Sequence, residues 1–337
     1  MREEDIRPAS LFNQYLSLVA ADVQRYFADK STFVDTPCPA CTSSDCAAAF
    51  VKEACQYSEC NACGTLFLSP RPRPEQLDAY YQQGEAVRFW STDFFRHTAE
   101  ARRERMFRPR AALVADIVAR SDLEVGRHAF ADVGSGYGVF LEEVSNLSIF
   151  ETVVGIEPAP PLAQVCRDKG FAVLPETVET VAEDSQFRFD FVSAFEVLEH
   201  VFAPDDFLSA ILHILRPGGI LLLTTLTVSG FDIQVLWNES KSVHPPMHIN
   251  LLSLDGMSKL FSRCGFETVE ICTPGELDLD IVANTLAERP DLDVPRFVRS
   301  LVQAGAEARA NFQAFLKQNL LSSHIRVVAR RPLSDRA

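Results

Sequence analysis

The sequence predicts an α/β protein built on a mostly parallel sheet, with a small cysteine-bound module and helical additions in front of it. Three observations carry this expectation. Residues 126–230 alternate short apolar runs with amphipathic stretches, as strands joined by crossover helices do. One junction, residues 128–140, carries glycine at positions 134, 136 and 138 between an apolar run and an amphipathic one. Two Cys-x-x-Cys pairs, Cys38/Cys41 and Cys60/Cys63, lie 18 residues apart near the N-terminus.

Composition narrows the class. The chain has 337 residues, enough for a full core plus a smaller module, and 47% of them are apolar. Net charge is −14, which repels phosphate backbones and argues against nucleic acid as a partner. No apolar run approaches membrane-spanning length, and the opening Met-Arg-Glu-Glu-Asp-Ile-Arg lacks a signal-peptide core, so no membrane partner and a cytoplasmic setting are expected. Nine cysteines in a reducing compartment favour metal ligation or buried thiols over disulfides.

Residues 1–36 are expected to form an N-terminal helix, since Leu11, Tyr15, Leu18, Val19, Val23 and Phe27 fall at helical spacing within 9–28. Residues 37–74 form a zinc-ribbon-like module. Each Cys-x-x-Cys sits on a tight turn, and four thiolates fill a tetrahedral zinc site with no open position, so structural zinc on Cys38, Cys41, Cys60 and Cys63 is expected. Cys46 and Cys55 lie between the pairs as spare thiols or replacements for one of the four. Three prolines at 70, 72 and 74 make the exit extended. Residues 75–125 read as a helical connector or cap. Its aromatics, Tyr80, Tyr81, Phe89 and Trp90, either cover a ligand or pack in the core. Its arginines, at 96, 102, 103, 105, 108 and 110, alternate with glutamates as a solvated helix face does, and guanidinium forks also suit diphosphates.

The glycine turn is the centre of the chemistry. Glycine permits a tight turn and lets a ligand reach bare backbone, while the following helix N-terminus offers free N–H groups. Glu157 ends the next apolar run, 23 positions after Gly134, where a carboxylate can accept two ribose hydroxyls. A nucleoside-containing cofactor across the strand tips is therefore expected. A dinucleotide fingerprint needs a third small residue at position 139, which is Val. Further strands are expected near 171–174, 189–195, 219–226 and 267–272, with an edge strand at 323–330. His244 and His248 are spaced as a helical metal pair, but Pro245 and Pro246 forbid that helix.

Asp132-Val-Gly134-Ser-Gly136-Tyr-Gly138 resembles the first motif of the class I S-adenosylmethionine (SAM)-dependent methyltransferases. Phe187 to His200, ending Glu196-Val-Leu-Glu199-His200, resembles that family's fourth strand and following turn, and Arg216-Pro-Gly-Gly219 its turn into the fifth strand. The Cys-x-x-Cys-Gly and Pro-Arg-Pro segment is similar to the zinc-binding N-terminus of deoxysugar C-methyltransferases. The resemblance implies a Rossmann-like seven-stranded sheet over 126–337, with a helical insertion near 273–322. It implies SAM held by Asp132, Gly134, Gly136, Gly138, Glu157 and Glu196, with Glu179 near the adenine. It implies a general base at His248 or His200, since imidazole suits that work. Where those C-methyltransferases carry Tyr and Glu, this chain has Pro245 and Met247, so O- and N-methylation stay open. The expected function is methylation of a small-molecule acceptor, a sugar or nucleotide-sugar-like metabolite. The alternatives are an RNA methyltransferase with a zinc ribbon, disfavoured by an acidic ribbon, and a non-catalytic binding protein that kept the fold.

Overall fold

The computed structural model describes residues 2–121, 123, 126–184 and 186–333. Eleven strands among the described residues fall into two sheets. In chain order they are β1 (Cys46–Lys52), β2 (Cys55–Cys60), β3 (Leu66–Leu68), β4 (Ala129–Val133), β5 (Thr152–Ile156), β6 (Ala172–Leu174), β7 (Phe189–Phe195), β8 (Leu215–Leu226), β9 (Asn250–Leu251), β10 (Glu267–Cys272) and β11 (His324–Arg330).

The large sheet has seven strands in the order β10-β11-β8-β7-β4-β5-β6. Strands β4 to β8 pair in parallel, and β11 is antiparallel to both β8 and β10. The order reverses at β4, whose neighbours are β5 and β7, so the crossovers diverge there and open a crevice at the strand tips. The central strands are buried on both faces, which explains their continuous apolar runs. At the opposite ends, the Asp190 carboxylate accepts the Ala129 N–H at 2.9 Å and pairs with Arg216, tying β4 to β7 and to the entry of β8. On one face Phe130, Phe140 and Phe191 pack with helix Arg108–Ala119, on the other Leu208, Ile211 and Phe261 with helices Pro204–Ile214 and Leu254–Arg263. Strand β11 is interior, a correction to the edge strand expected there: β10 pairs along its outer side. The alternation that suggested an edge comes from one face carrying His324 and Arg326, while Ile325, Val327 and Ala329 are buried.

The small sheet runs β1-β2-β3-β9. Its last strand comes from the loop after β8, nearly two hundred residues further along, so the cysteine-bearing hairpin is bonded directly to that loop. In front of the large sheet lies a helical cap, helix Ala9–Tyr26 and the helical run from Pro74 to Ala119. That run is interrupted by two π turns, Trp90–Phe94 and Arg103–Phe107. The segment after β10 is helical at Asp278–Glu288, Arg296–Val302 and Ala306–Gln318. No helix among the described residues is long and apolar enough to cross a membrane.

The two halves of the β8–β11 pair meet at Gly230. A Cβ there would lie 2.0 Å from the Ser323 Cα, and Ser323 is held by its N–H to Asp278 Oδ1 at 2.7 Å and its carbonyl to the Thr227 N–H at 2.8 Å. Gly230→Ala should therefore cost about 1–3 kcal/mol or more through overpacking, read as a lower denaturant midpoint at unchanged m-value.

Candidate active site

Strand β4 delivers Asp132 and Val133 to the crevice, and the chain then turns at Gly134. The turn requires glycine: φ is +75°, and a Cβ would lie 2.7 Å from Val197 Cγ2. Gly138 is needed for a different reason. Its φ is +67° and a Cβ would press on Cys166 Sγ at 3.0 Å, so it closes the turn under helix Val139–Asn146 and does not line the crevice. The Gly136 N–H donates to Glu157 Oε2 at 2.8 Å, and the Ala159 N–H to Glu157 Oε1 at 3.0 Å. Two backbone donors thus hold the carboxylate at the tip of β5, and burial raises it from its ordinary range. Asp132 Oδ1 accepts the Ser193 hydroxyl at 2.6 Å, and burial pushes its carboxyl up to about 7.

Beyond β7 lies Glu196, a non-glycine residue at φ +54°. Its Oε1 accepts from Arg110 Nη2 at 2.8 Å, Thr224 Oγ1 at 2.8 Å and His324 Nε2 at 2.7 Å. Burial alone would raise this carboxyl. His324, Arg110 and Thr224 outweigh burial and hold it well below the usual carboxylate range. Arg110 was expected only as a solvated or diphosphate-pairing member of its run, not as the partner of Glu196, and Thr224 and His324 were not expected at the site. The three come from the cap, β8 and β11, and each is an ordinary member of its run in the sequence.

The crevice opens into a cavity of about 1440 Å³. Asp132, Gly134, Gly136, Glu157, Glu179 and Glu196 all line it, as do His200 and His248. The cap forms the opposite wall. Phe95 stacks on Tyr137 of the glycine turn at 4.2 Å, with the rings 5° from parallel, so the cap is seated on the cofactor loop itself. Tyr15, Tyr81 and Trp90 continue that wall, and Leu277 and Ile281 of the insertion add to it. Both π turns border the cavity; the wider turn re-aims the side chains that follow. Of the arginine run, Arg102, Arg105 and Arg110 reach the cavity. Arg103 does not: it pairs with Glu142 and Glu143 at 2.5 Å each, and Arg108 joins Glu143 at 3.3 Å.

The two histidines face one another, with ring centroids 4.9 Å apart. His248 Nδ1 lies 2.7 Å from the Ser242 carbonyl, which can only accept, so Nδ1 carries the proton and Nε2 keeps a bare lone pair. His200 Nδ1 lies 3.1 Å from the Met247 carbonyl, which can only accept and so fixes the same tautomer; Tyr81 Oη lies 3.1 Å from the same nitrogen. Burial pushes His200 down to about 4 and His248 down to about 3, so both are neutral at working pH. Glu199 beside them accepts from Thr225 Oγ1 at 2.7 Å, and burial pushes it up to about 8. Glu199, His200 and His248 each offer one ligand atom within 4.8 Å of the others, close enough to share a cation or pass a proton. Asn250 Nδ2 fastens this loop to the Leu-Glu-His turn through the Val201 carbonyl at 2.7 Å. The His244-Pro-Pro-Met-His248 segment is a turn, as the prolines require.

The four expected thiols, Cys38, Cys41, Cys60 and Cys63, also gather within 4.8 Å of one another. Sulfur separations of 3.6 Å (Cys38 to Cys63) and 3.5 Å (Cys41 to Cys60) approach the roughly 3.8 Å edge of a tetrahedron with Zn–S of about 2.3 Å. The donor set fits zinc. Cys55 is outside it, bonded to Lys30 Nζ at 3.2 Å; Cys46 is not one of the four but borders them, donating to the Ser43 carbonyl at 3.6 Å and lying beside the Cys60 thiol.

Residues 99–271, more than half of the chain, match the sequence profile of a methyltransferase domain. The ubiquinone biosynthesis O-methyltransferase of Xanthomonas oryzae pv. oryzae is 34% identical over 131 residues, 36% of this chain and 53% of that protein. Its counterpart from Methylobacterium sp. is 33% identical over 116 residues, 32% of this chain and 45% of that protein. The chain thus spans about half the length of the curated relatives it matches. The plantazolicin methyltransferase BpumL, solved in complex with S-adenosylhomocysteine (SAH), superposes with a TM-score of 0.50 at 13% identity, over 76% of this chain and 94% of that one, a likeness of fold alone. With the family profile across its glycine turn, its parallel strands and its β10, the chain belongs to the methyltransferase domain family, as a class I SAM-dependent methyltransferase domain.

Proposed function

We propose that the protein methylates a hydroxyl oxygen of a small organic acceptor bound between the strand tips and the cap. The carrying observation is the His248 imidazole, locked in one tautomer with its bare Nε2 in the same cavity as the glycine turn and Glu157. SAM, when bound, supplies a methyl group on a sulfonium that leaves as a neutral thioether. The protein's part is to bind, align and take a proton. Glu157 serves the ribose hydroxyls, Gly134 and Gly136 give the methionine part access to backbone, and Arg110 beside Glu196 suits its carboxylate and ammonium. Gly138 shapes the turn. His248 takes the acceptor's proton, and His200 with Tyr81 backs it. The cap and insertion exclude water.

The wall of Tyr15, Tyr81, Trp90 and Phe95 supports an acceptor with an apolar or ring-containing body, in keeping with the O-methyltransferase relatives. A sugar or nucleotide-sugar-like acceptor is the second reading, supported by the thiol module's likeness to the zinc-bearing segment of deoxysugar enzymes. The position of Arg103 removes one of the guanidiniums a diphosphate would have used. An acceptor panel of phenols, hydroxy acids and nucleotide sugars, assayed with radiolabelled SAM, separates these readings. Transfer to RNA alone would overturn both.

Isothermal titration should show SAM binding, and Gly136→Val or Glu157→Ala should weaken it about 10- to 100-fold, as loss of charge-assisted hydrogen bonds predicts. Tight NAD binding in place of SAM would contradict the cofactor assignment.

One zinc per chain, held by Cys38, Cys41, Cys60 and Cys63, should be found by elemental analysis. Cys38→Ser should abolish it, Cys46→Ser and Cys55→Ser should retain it, and chelation should lower thermal stability.

His248→Ala should reduce kcat by about 10²- to 10⁴-fold with SAM affinity unchanged. Because burial lowers His248, the neutral base persists as pH falls, so comparison of the kcat/KM profiles of the unaltered protein and His248→Ala should assign no inflection near 6.5 to His248, whose own loss of function should come only as pH approaches about 3. Full activity in His248→Ala with loss in His200→Ala would transfer the role to the other ring.

A further inference from the structure

The cap end of the cavity holds two guanidinium groups that the chemistry above leaves unused. Arg102 is only 9% exposed. Its Nε donates to Thr98 Oγ1 at 3.1 Å and its Nη2 to the Ile6 carbonyl at 3.1 Å, and its guanidinium lies over the Trp90 ring at 5.2 Å. Arg7, the residue after Ile6, is half-buried, lies over Phe12 at 5.7 Å and lines the same cavity. Among the described residues neither has a carboxylate partner within ion-pair distance. Burial pushes Arg102 down to about 9; Arg7 and Arg110 push it the same way, and Glu196 is the carboxylate that opposes them. That carboxylate is already taken by Arg110 and His324.

Stacking on rings accounts for how Arg102 packs. It does not account for two adjacent cations facing one cavity without a counter-ion, an arrangement that burial makes unfavourable. The cofactor does not correct the imbalance, since a sulfonium and an ammonium outnumber its one carboxylate. An anion entering the cavity does. Both ends belong to one cavity. Tyr15 packs against Trp90 at 4.9 Å and against His244 at 6.3 Å, so a single aromatic wall runs from the guanidiniums to the histidine loop.

Resting on the function proposed above, we infer that Arg7 and Arg102 hold an oxyanion substituent of the methyl acceptor, a carboxylate or a phosphate ester on an apolar, ring-containing body. Guanidinium forks pair with either group through two parallel N–H donors, which also fixes the acceptor's orientation along the wall. Its hydroxyl then points away from the anion, toward His248.

The test is calorimetric titration of the whole protein, with and without SAH, using 4-hydroxybenzoate, phenyl phosphate and the neutral methyl 4-hydroxybenzoate. One or both anions should bind about tenfold or more tightly than the ester, and Arg7→Gln and Arg102→Gln should each erase that preference while leaving SAH affinity within about twofold. Preference for the carboxylate identifies a carboxylic acid acceptor, and preference for the phosphate a phosphate ester. Arg7 is half-buried and packs at the cavity edge, so its variant reports even where the Arg102 variant fails to fold. Equal binding of ester and anions, a preference that survives Arg7→Gln, or variants that lose SAH binding instead would overturn the inference. Failure of SAH to bind the unaltered protein would defeat the cofactor assignment separately.

Discussion

A single carboxylate oxygen organises the site. Glu196 Oε1 receives donors from the cap (Arg110), from β8 (Thr224) and from β11 (His324), all within 2.8 Å. Without those three donors a buried glutamate would hold its proton; with them it is ionised, and the three elements that supply them are drawn to one point at the tip of β7. The backbone at Glu196 takes a left-handed conformation to aim the side chain there. The Leu-Glu-His turn follows at once, so the position of His200 and Glu199 descends from the same constraint. The cap is held twice over, by Arg110 on this oxygen and by Phe95 on Tyr137 of the glycine turn. Cofactor loop, acceptor wall and base are thereby parts of one packed unit.

The strands were legible because parallel strands buried on both faces must be apolar throughout, and β4, β5 and β7 begin and end where those runs do. The glycine turn and Glu157 were legible because local backbone geometry needs those residue types at that spacing. Arg110, Thr224 and His324 were not, since their roles on Glu196 arise from contacts across 28 to 128 positions of chain, for which no local pattern exists. The arginine run illustrates the limit. Its members look alike in sequence, yet Arg103 sits in an ion pair outside the cavity, Arg110 on Glu196 and Arg102 beneath Trp90. Helical phase, altered by two π turns that sequence gives no sign of, assigns each its neighbour. The interior place of β11 was hidden for a related reason: which strand becomes an edge is settled by the pairing of β10, not by β11's own alternation.

The thiol module shows how chemistry and architecture meet. The Tyr57 hydroxyl donates to the His248 carbonyl at 2.8 Å, Ser253 Oγ to the Cys63 carbonyl, and Lys259 Nζ to the Ala62 carbonyl at 2.9 Å. The hairpin bearing two of the sulfurs therefore braces the backbone of the candidate base. A role for the module that is structural in its own chemistry is positional for the histidine loop.

That bracing has a temporal side. The small sheet takes its fourth strand from Asn250–Leu251, so a module whose first cysteine is at position 38 cannot complete its hydrogen bonding until the chain has been made past residue 251. Early-made and late-made segments must find each other across most of the molecule, a closure of high contact order that local helices do not face. An N-terminal unit ordinarily finishes folding while the rest is still being synthesised. Here a module made early is completed only after a segment made much later, and its unpaired β3 edge waits for the segment that carries the histidine.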